Sequence, residues 1–306
     1  MATPEDTDAA SLLDETKSDS SGTASILERT EIYSQLSWFV ESAKATTESW
    51  KDTGIDRTHD RVVDARVRDR LRRDARKCWD GFYKDNATNF YKDRHYLHKV
   101  FPGIISERGD SSSKKKKTLL EIGCGVGNAF FPLMELDPKL FVVAIDLSPE
   151  AVRLIEANPA YRKDNRCRAF VLDITRERFP VDIRENLVDN VLLLFCLSAM
   201  SPDAMLDAMR HAVEPLRTGG KLFFRDYGRG DQAQLRFDDG HKLDENFYAR
   251  QDGTRAYYFT LDEVRKLFSL AGLDAVELNY VKRVQRNTKK GMAWDRTWIH
   301  GIFRKR

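Results

Sequence analysis

Three glycines and three acids set the chemistry this chain can do. Glu121-Ile-Gly123-Cys-Gly125-Val-Gly127 places an acid ahead of glycines at alternate positions, and Asp146 and Asp173 each end an apolar run further on. Glycine lets a backbone turn sharply and lets a ligand lie against it. An acid about 20 positions past such a loop suits the hydroxyls of a ribose, and Asp146 stands there. Asp173 suits an adenine amino group. A nucleotide-type ligand is the expectation. The dinucleotide fingerprint is not met, because Asn128 occupies the position of its third glycine.

Alternating strands and helices must hold these residues. Residues 118–122, 141–146, 167–172, 188–195 and 221–225 read as five strands, with 275–280 and 297–303 as two more. Ser148-Pro149 is a cap followed by proline at the first helical position. Ser201 caps a helix over 202–216, and Thr260-Leu-Asp-Glu263 is a capping box opening a helix over 261–271. The fold class is α/β: a Rossmann-like, seven-stranded and mostly parallel sheet with helices on both faces. Residues 227–255 read as an irregular polar insertion.

Ahead of the core lies a segment of different composition. Over residues 57–84 Val63, Val67, Leu71, Ala75, Cys78, Trp79 and Phe82 recur every three or four positions, which predicts one long amphipathic helix. Its other faces carry Arg61, Arg66, Arg68, Arg70, Arg72, Arg73, Arg76 and Lys77. This is either a salt-bridged surface helix or one that faces RNA. Residues 1–56 hold four Lys/Arg against twelve Asp/Glu, a net −8 that leaves +11 on the rest of a +3 chain. Three parts follow: an acidic, largely disordered tail over 1–56, a basic helical cap and linker over 57–117, and the core over 118–306. Leu36, Trp38, Phe39, Val40 and Trp50 are apolar residues of the tail suited to docking on the body. A basic body suits a polyanionic partner.

Cys78, Cys124, Cys167 and Cys196 lie far apart, with no C-x-x-C pair, so no metal site is expected. They read as reduced thiols of a cytoplasmic protein, and the Lys114–Lys117 run adds a nuclear pool as a weaker expectation. No apolar run reaches the roughly 20 residues that span a bilayer, so no membrane association is expected.

Several motifs together identify the chain with a family. The E-x-G-x-G-x-G loop looks like motif I of class I S-adenosylmethionine-dependent methyltransferases. Trp79-x-x-Phe82-Tyr83-Lys84, Asn89-Phe90-Tyr91-Lys92-Asp93-Arg94-His95, Leu194-Phe-Cys-Leu-Ser198-Ala, Phe224-Arg225-Asp226-Tyr227-Gly228 and Asn246-Phe-Tyr-Ala-Arg250-Gln-Asp252-Gly253-Thr254-Arg255 resemble the tRNA N3-methylcytidine methyltransferases. The resemblance covers roughly residues 75 to 304. It implies an S-adenosylmethionine site at Trp79, Tyr83, Gly123, Gly125, Asp146, Asp173, Ile174 and Leu194, with Ile174 and Leu194 sandwiching the adenine. It implies transfer of a methyl group to cytidine N3 in a tRNA anticodon stem-loop, with an aminoacyl-tRNA synthetase or another protein as an accessory partner. Ala293-Trp294-Asp295 separates Met292 from Arg296 and looks like an insertion relative to the family.

Aromatic residues interleaved with bases suit stacking plus phosphate contact. Phe90, Lys92, Arg94, His95 and Arg250 are therefore expected to touch RNA, together with Lys289 and Lys290 of a tail that carries nine Lys/Arg and one acid from 281 to 306. The end of strand four lacks the [DNS]-P-P-[YFW] motif of amino-methylating enzymes, and Cys196 reads as a small buried hydrophobe rather than a nucleophile. Cytosine N3 needs no strong base, since its lone pair is free near neutral pH. Positioning then carries the reaction. Asp226 is expected to steady the cationic product, with Arg225 holding phosphate or the base edge. The competing expectations are a methyltransferase for a protein or small molecule, which needs no basic flanks, and a catalytically silent RNA-binding subunit.

Overall fold

The structure is a computed structural model that describes residues 61–106, 116–163, 165–185, 187–287 and 292–306. The 1–56 tail and Lys289 and Lys290 lie outside the described residues. Seven strands form the main sheet: β1 (Lys117–Ile122), β2 (Leu140–Asp146), β3 (Cys167–Val171), β4 (Val188–Leu194), β5 (Leu216–Tyr227), and two that follow the insertion, β9 (Leu273–Asn287) and β10 (Met292–Lys305). Their order is β3-β2-β1-β4-β5-β10-β9. β1 to β5 run parallel, and β10 pairs antiparallel with both β5 and β9.

Continuous apolar runs form these strands because both sheet faces are covered. Neighbouring residues of β1 feed opposite layers: Leu119 joins Phe130, Leu133, Val142 and Leu192 on one face, while Leu120 joins Val143, Val191 and Phe224 on the other. The chain order reverses between β1 and β4, and a crevice opens there at the carboxyl ends of the strands.

The segment ahead of β1 differs from the single helix expected. It forms two helices, Ala65–Arg73 and Ala75–Asn86, with Asp74 at φ −89°, ψ 9° between them. One apolar stripe spans the break, but its two halves pack on different partners. Val63 and Leu71 pack on Leu243, Phe247 and Ala249 of the insertion, whereas Phe82 and Tyr83 pack on Val126 and Ala151 of the core. Fully burying aromatic side chains of that size contributes roughly 2–3 kcal/mol each.

The insertion is ordered rather than irregular. It holds a helix at Gln232–Leu235 and a small antiparallel sheet of β6 (Lys242–Asp244), β7 (Phe247–Ala249) and β8 (Arg255–Tyr257). The Asp231 carboxylate accepts from the Ala233 N–H to start the helix. Ala293, Trp294 and Asp295 pair with Arg286, Gln285 and Val284, and the β9–β10 register shifts only at Ile302/Phe303. The three residues thus sit in regular hairpin pairing. Its flank docks on the insertion, with the Asp295 N–H donating to Gln232 Oε1 at 2.7 Å and the Arg236 guanidinium 5.9 Å over the Trp294 ring.

Candidate active site

The crevice holds a cavity of about 420 Å³, within the usual size of ligand pockets. The core supplies Glu121 to Gly125, Asp146, Asp173, Ile174 and Leu194 to Cys196, and the cap supplies Arg72, Ala75, Trp79, Tyr83, Tyr91 and Arg94. All eight residues expected to hold the cofactor line this one space.

The glycine loop is pinned by close contacts. Gly123 and Gly125 adopt φ +67° and +54°, a region where side chains are strained. A Cβ on Gly123 would meet Cys196 Sγ at 2.3 Å, and one on Gly125 would meet Tyr83 Oη at 2.8 Å. Both glycines are required by protein groups that close on the loop, as well as by any ligand.

Asp146 organises the loop from the other side. Its Oδ2 accepts from the Gly125 N–H at 2.8 Å and its Oδ1 from the Ser148 N–H at 2.9 Å. Burial pushes its carboxyl up to about 6, against the pull of these donors. A carboxylate has about four lone-pair sites, so acceptor capacity remains for a diol. Asp173 Oδ1 accepts from the Thr175 N–H and hydroxyl, fixing the turn after β3. Ile174 and Leu194 are buried apolar residues of the wall. Trp79 and Tyr83 stack with ring centroids 6.0 Å apart.

Glu121 carried only one hint in the sequence, an acid ahead of the glycines. It is buried in the cavity wall, its Oε2 has no hydrogen-bond partner, and desolvation raises its pKa to about 8. Arg94 also lines the cavity and pulls that value down. A buried acceptor left open is costly, and an ammonium group completes it. The carboxylate of a zwitterionic amino acid suits Arg94. S-adenosylmethionine carries that zwitterion, a ribose for Asp146 and an adenine for the apolar wall, so the residues present fit it.

The chain's relatives agree with this chemistry. A profile described as Methyltransferase domain matches residues 94–278. The tRNA N(3)-cytidine methyltransferase METTL6 of Rattus norvegicus is 44% identical over 244 residues, covering 80% of this chain and 84% of that protein. The tRNA N(3)-methylcytidine methyltransferase Mettl2 of Drosophila melanogaster is 38% identical over 245 residues, covering 79% and 75%. The chain belongs to the tRNA N3-cytidine methyltransferase family. In fold it is similar to an S-adenosylmethionine-dependent methyltransferase of Anabaena variabilis, at TM-score 0.55 and 12% identity over 80% of this chain and 98% of that one. A Haloferax volcanii methyltransferase, solved in complex with the Trm112 activator, matches at TM-score 0.51 and 16% identity, covering 77% and 97%.

The N-F-Y-K-D-R-H segment of this N3-cytidine methyltransferase family member is tied to the glycine loop. Asn128 donates to the Tyr91 carbonyl at 3.1 Å and to Asp93 Oδ1 at 2.9 Å, and accepts at its own carbonyl from the Arg94 N–H at 2.7 Å. This explains asparagine where a dinucleotide loop has glycine. The docking turns Arg94 inward, its guanidinium 5.2 Å over the Phe195 ring. Phe195 has φ +50°, an uncommon value for a bulky residue. Such strain gathers at functional sites, and no feature of the sequence announces it. Lys92 and His95 stay exposed, while Phe90 packs at 4.8 Å on Phe82.

Asp226, Arg225 and Arg250 stand away from the roles expected of them. Asp226 is fully buried and does not line the cavity. Its Oδ2 accepts from the Ser198 N–H at 3.0 Å and its Oδ1 from the Tyr227 N–H at 2.9 Å, so it anchors the turn after β4 from below. Arg225 is buried as well. It donates to His300 Nδ1 at 3.1 Å and lies over the Tyr96 and Phe101 rings, bracing the segment that carries Arg94. Arg250 turns into the insertion and donates to the Arg255 carbonyl and to Tyr227 Oη. Consecutive residues of a strand point to opposite faces, and the sequence does not say which face meets the ligand. Cys196 fits its expectation: half-buried, it fills the space over Gly123, and burial raises its thiol well above the ordinary range.

A test of Asp226 follows. Asparagine has one acceptor oxygen for two backbone donors, and its amide would face the second. Asp226→Asn is expected to lower stability by about 2 kcal/mol, a Tm drop of roughly 5 °C in calorimetry. Methyl transfer by the folded fraction should stay within a few-fold of normal. A normal Tm with a hundredfold slower single turnover would return Asp226 to the chemistry.

Proposed function

We propose that this chain is an S-adenosylmethionine-dependent tRNA methyltransferase that forms N3-methylcytidine in the anticodon loop. The observation that carries the reading is the 44% identity to a tRNA N(3)-cytidine methyltransferase in a chain whose cavity is closed by a basic cap. When bound, the cofactor supplies an electrophilic methyl group on a sulfonium. The chain's own residues bind, orient and exclude water. Asp146, Glu121 and the Ile174/Leu194 wall would hold the cofactor's three parts. Phe195, at the end of β4, lines the cavity beside Arg94 and supplies an aromatic ring against which a base can pack. Its position supports a target cytosine placed against the reacting methyl. Catalysis is then mainly positioning, because N3 carries a free lone pair. N3 lies on the pairing edge, so the cytidine must be unpaired or flipped out, which a loop allows.

Phosphate contacts fall to the exposed arginines of Ala65–Arg73, a helix with no buried residue, and to Lys92 and His95. Binding of tRNA is expected to weaken at least tenfold between about 50 and 200 mM salt, as the release of two or more counterions requires. Flat affinity across that range, read by filter binding, would leave these bases as solvated surface. An aminoacyl-tRNA synthetase as accessory protein is part of the proposal, checked by the methylation rate with and without it. So is a cytoplasmic location with a nuclear pool, checked by imaging the tagged chain. Among the described residues no helix is long and apolar enough to cross a membrane, and no cluster of His, Cys, Asp or Glu could hold a metal. The decisive experiment is transfer from labelled cofactor to total tRNA, followed by nucleoside mass spectrometry. N3-methylcytidine is expected, and any other methylated nucleoside overturns the reading.

A further inference from the structure

The cap touches the core through a short polar chain whose first two members, Asp80 and Ser148, lie outside the cavity lining. Asp80 lies on the Ala75–Asn86 helix between Trp79 and Tyr83, the two residues this helix turns into the cavity beyond Ala75. Its Oδ1 accepts from the Ser148 hydroxyl and, at 3.3 Å, from the Glu150 N–H. Ser148 is the cap of the Pro149–Ala157 helix, and its Oγ also accepts from the Ala151 N–H at 3.2 Å. The Ser148 N–H donates to Asp146 Oδ1. From Asp146 the path continues through Oδ2 to the Gly125 N–H, and Gly125 sits under Tyr83 Oη. Tyr83 returns it to the helix of Asp80. A closed ring therefore runs Asp80, Ser148, Asp146, Gly125, Tyr83. Arg76 adds a parallel contact, with Nε donating to the Leu147 carbonyl at 3.2 Å.

We infer that Asp80 is a positioning residue for the cofactor site, clasping the cap to Ser148 so that Trp79 and Tyr83 stand in register over Asp146 and the glycine loop. The family profile begins at residue 94, so Asp80 lies ahead of the matched methyltransferase domain while its partner Ser148 lies within it. The clasp joins the cap to the ribose-binding strand end, beside the Arg76 contact and the packing of Phe82 and Tyr83 on Val126 and Ala151. Without it Trp79 and Tyr83 would keep their own stacking but lose their place relative to Asp146. Such misplacement weakens binding without touching any ligand atom.

The contacts of Asp80 with Ser148 and Glu150 fall on Oδ1, which sets the test. Asparagine keeps an oxygen there, and alanine removes it. The inference rests on S-adenosylmethionine as the cofactor, so the readout is calorimetric affinity for S-adenosylhomocysteine, which needs no tRNA. With the full chain, Asp80→Ala is expected to bind about 30-fold more weakly, and Asp80→Asn within about three-fold of wild type. Ser148→Ala should weaken binding as well, and the double variant should be no weaker than the poorer single one, as expected of partners in one chain. A lower Tm for Asp80→Ala with unchanged affinity would make the contact purely structural and overturn the inference. So would an Asp80→Asn variant as weak as alanine, because charge rather than the accepting oxygen would then matter. If Asp80→Ala does not fold, Asp80→Asn and Ser148→Ala decide it: equal affinities for the two overturn the clasp. Failure of the wild-type chain to bind S-adenosylhomocysteine would instead refute the cofactor.

Discussion

Asp146→Ala should abolish useful S-adenosylmethionine binding, with affinity falling at least roughly a hundredfold. The carboxylate closes β2, with one oxygen on the Gly125 N–H and the other on the Ser148 N–H. Its removal strips the glycine loop and the following helix of a shared anchor, and it removes the charge-assisted acceptor for the ribose. One such bond contributes about 1.5–3 kcal/mol, and a factor of a hundred corresponds to about 2.7 kcal/mol. The loop contacts and the ribose contact are lost together, so the effect should sit at or beyond the upper end. The site holds this anion against its environment, since burial lifts its pKa to about 6. The fold itself should therefore survive the substitution, and circular dichroism will separate the two outcomes. Asp146→Asn refines the result. Its single oxygen can serve only one of the two N–H donors, so affinity should fall between wild type and alanine. An alanine variant that binds S-adenosylhomocysteine normally in calorimetry would remove Asp146 from the site.

The ends of strands were legible in the sequence because both faces of this sheet are covered. Runs such as 141–146 are then apolar throughout and end where a polar residue meets the crevice, as Asp146 does. The cap was half legible. Its stripe was visible, but a 3.6-residue period does not reveal that Val63 and Leu71 meet one partner while Phe82 and Tyr83 meet another, and that change of partner sets the break at Asp74. The strands β6 to β8 have three residues each, too few to show any period. They exist because the cap's first helix and β5 bury them. Asp226 and Arg225 misled for a different reason. A polar pair at a strand end near a ligand is what both a catalytic and an architectural residue look like, and only the hydrogen bonds to Ser198 and His300 separate them. Asn128 was the missed clue. Its departure from glycine marked the point where the aromatic and basic segment ties to the loop, and so located Arg94 inside the cavity rather than on the outer surface.

Affinity for S-adenosylhomocysteine should climb with pH between about 6 and 8, and Glu121 is the cause. Its buried carboxyl titrates at about 8, because desolvation outweighs the pull of Arg94. Below that value the ligand-free chain holds a proton there, and the Oε2 that would meet an ammonium group is blocked. Binding a cation beside it favours the charged form, so the proton must leave. A folded group whose pKa is raised and whose anion binds ligand gives an affinity that grows with pH up to that pKa. The expected rise is close to tenfold between pH 6 and 7 and roughly fivefold between pH 7 and 8, levelling off at the pKa. Below pH 6 the slope should steepen, because Asp146, at about 6, then also takes up its proton and loses strength as an acceptor for the ribose. The same linkage predicts release of nearly one proton per ligand bound at pH 7, which appears in calorimetry as a dependence of apparent enthalpy on buffer ionisation. Glu121→Gln supplies the decisive contrast. Glutamine keeps the size and carries no titratable proton, so its affinity at pH 7.5 should be lower by roughly thirtyfold, about 2 kcal/mol for a lost charge-assisted contact. Its profile between pH 6 and 8 should be flat. A wild-type profile that is already flat there, or a Glu121→Gln variant that keeps the slope, would place the ammonium group elsewhere in the cavity.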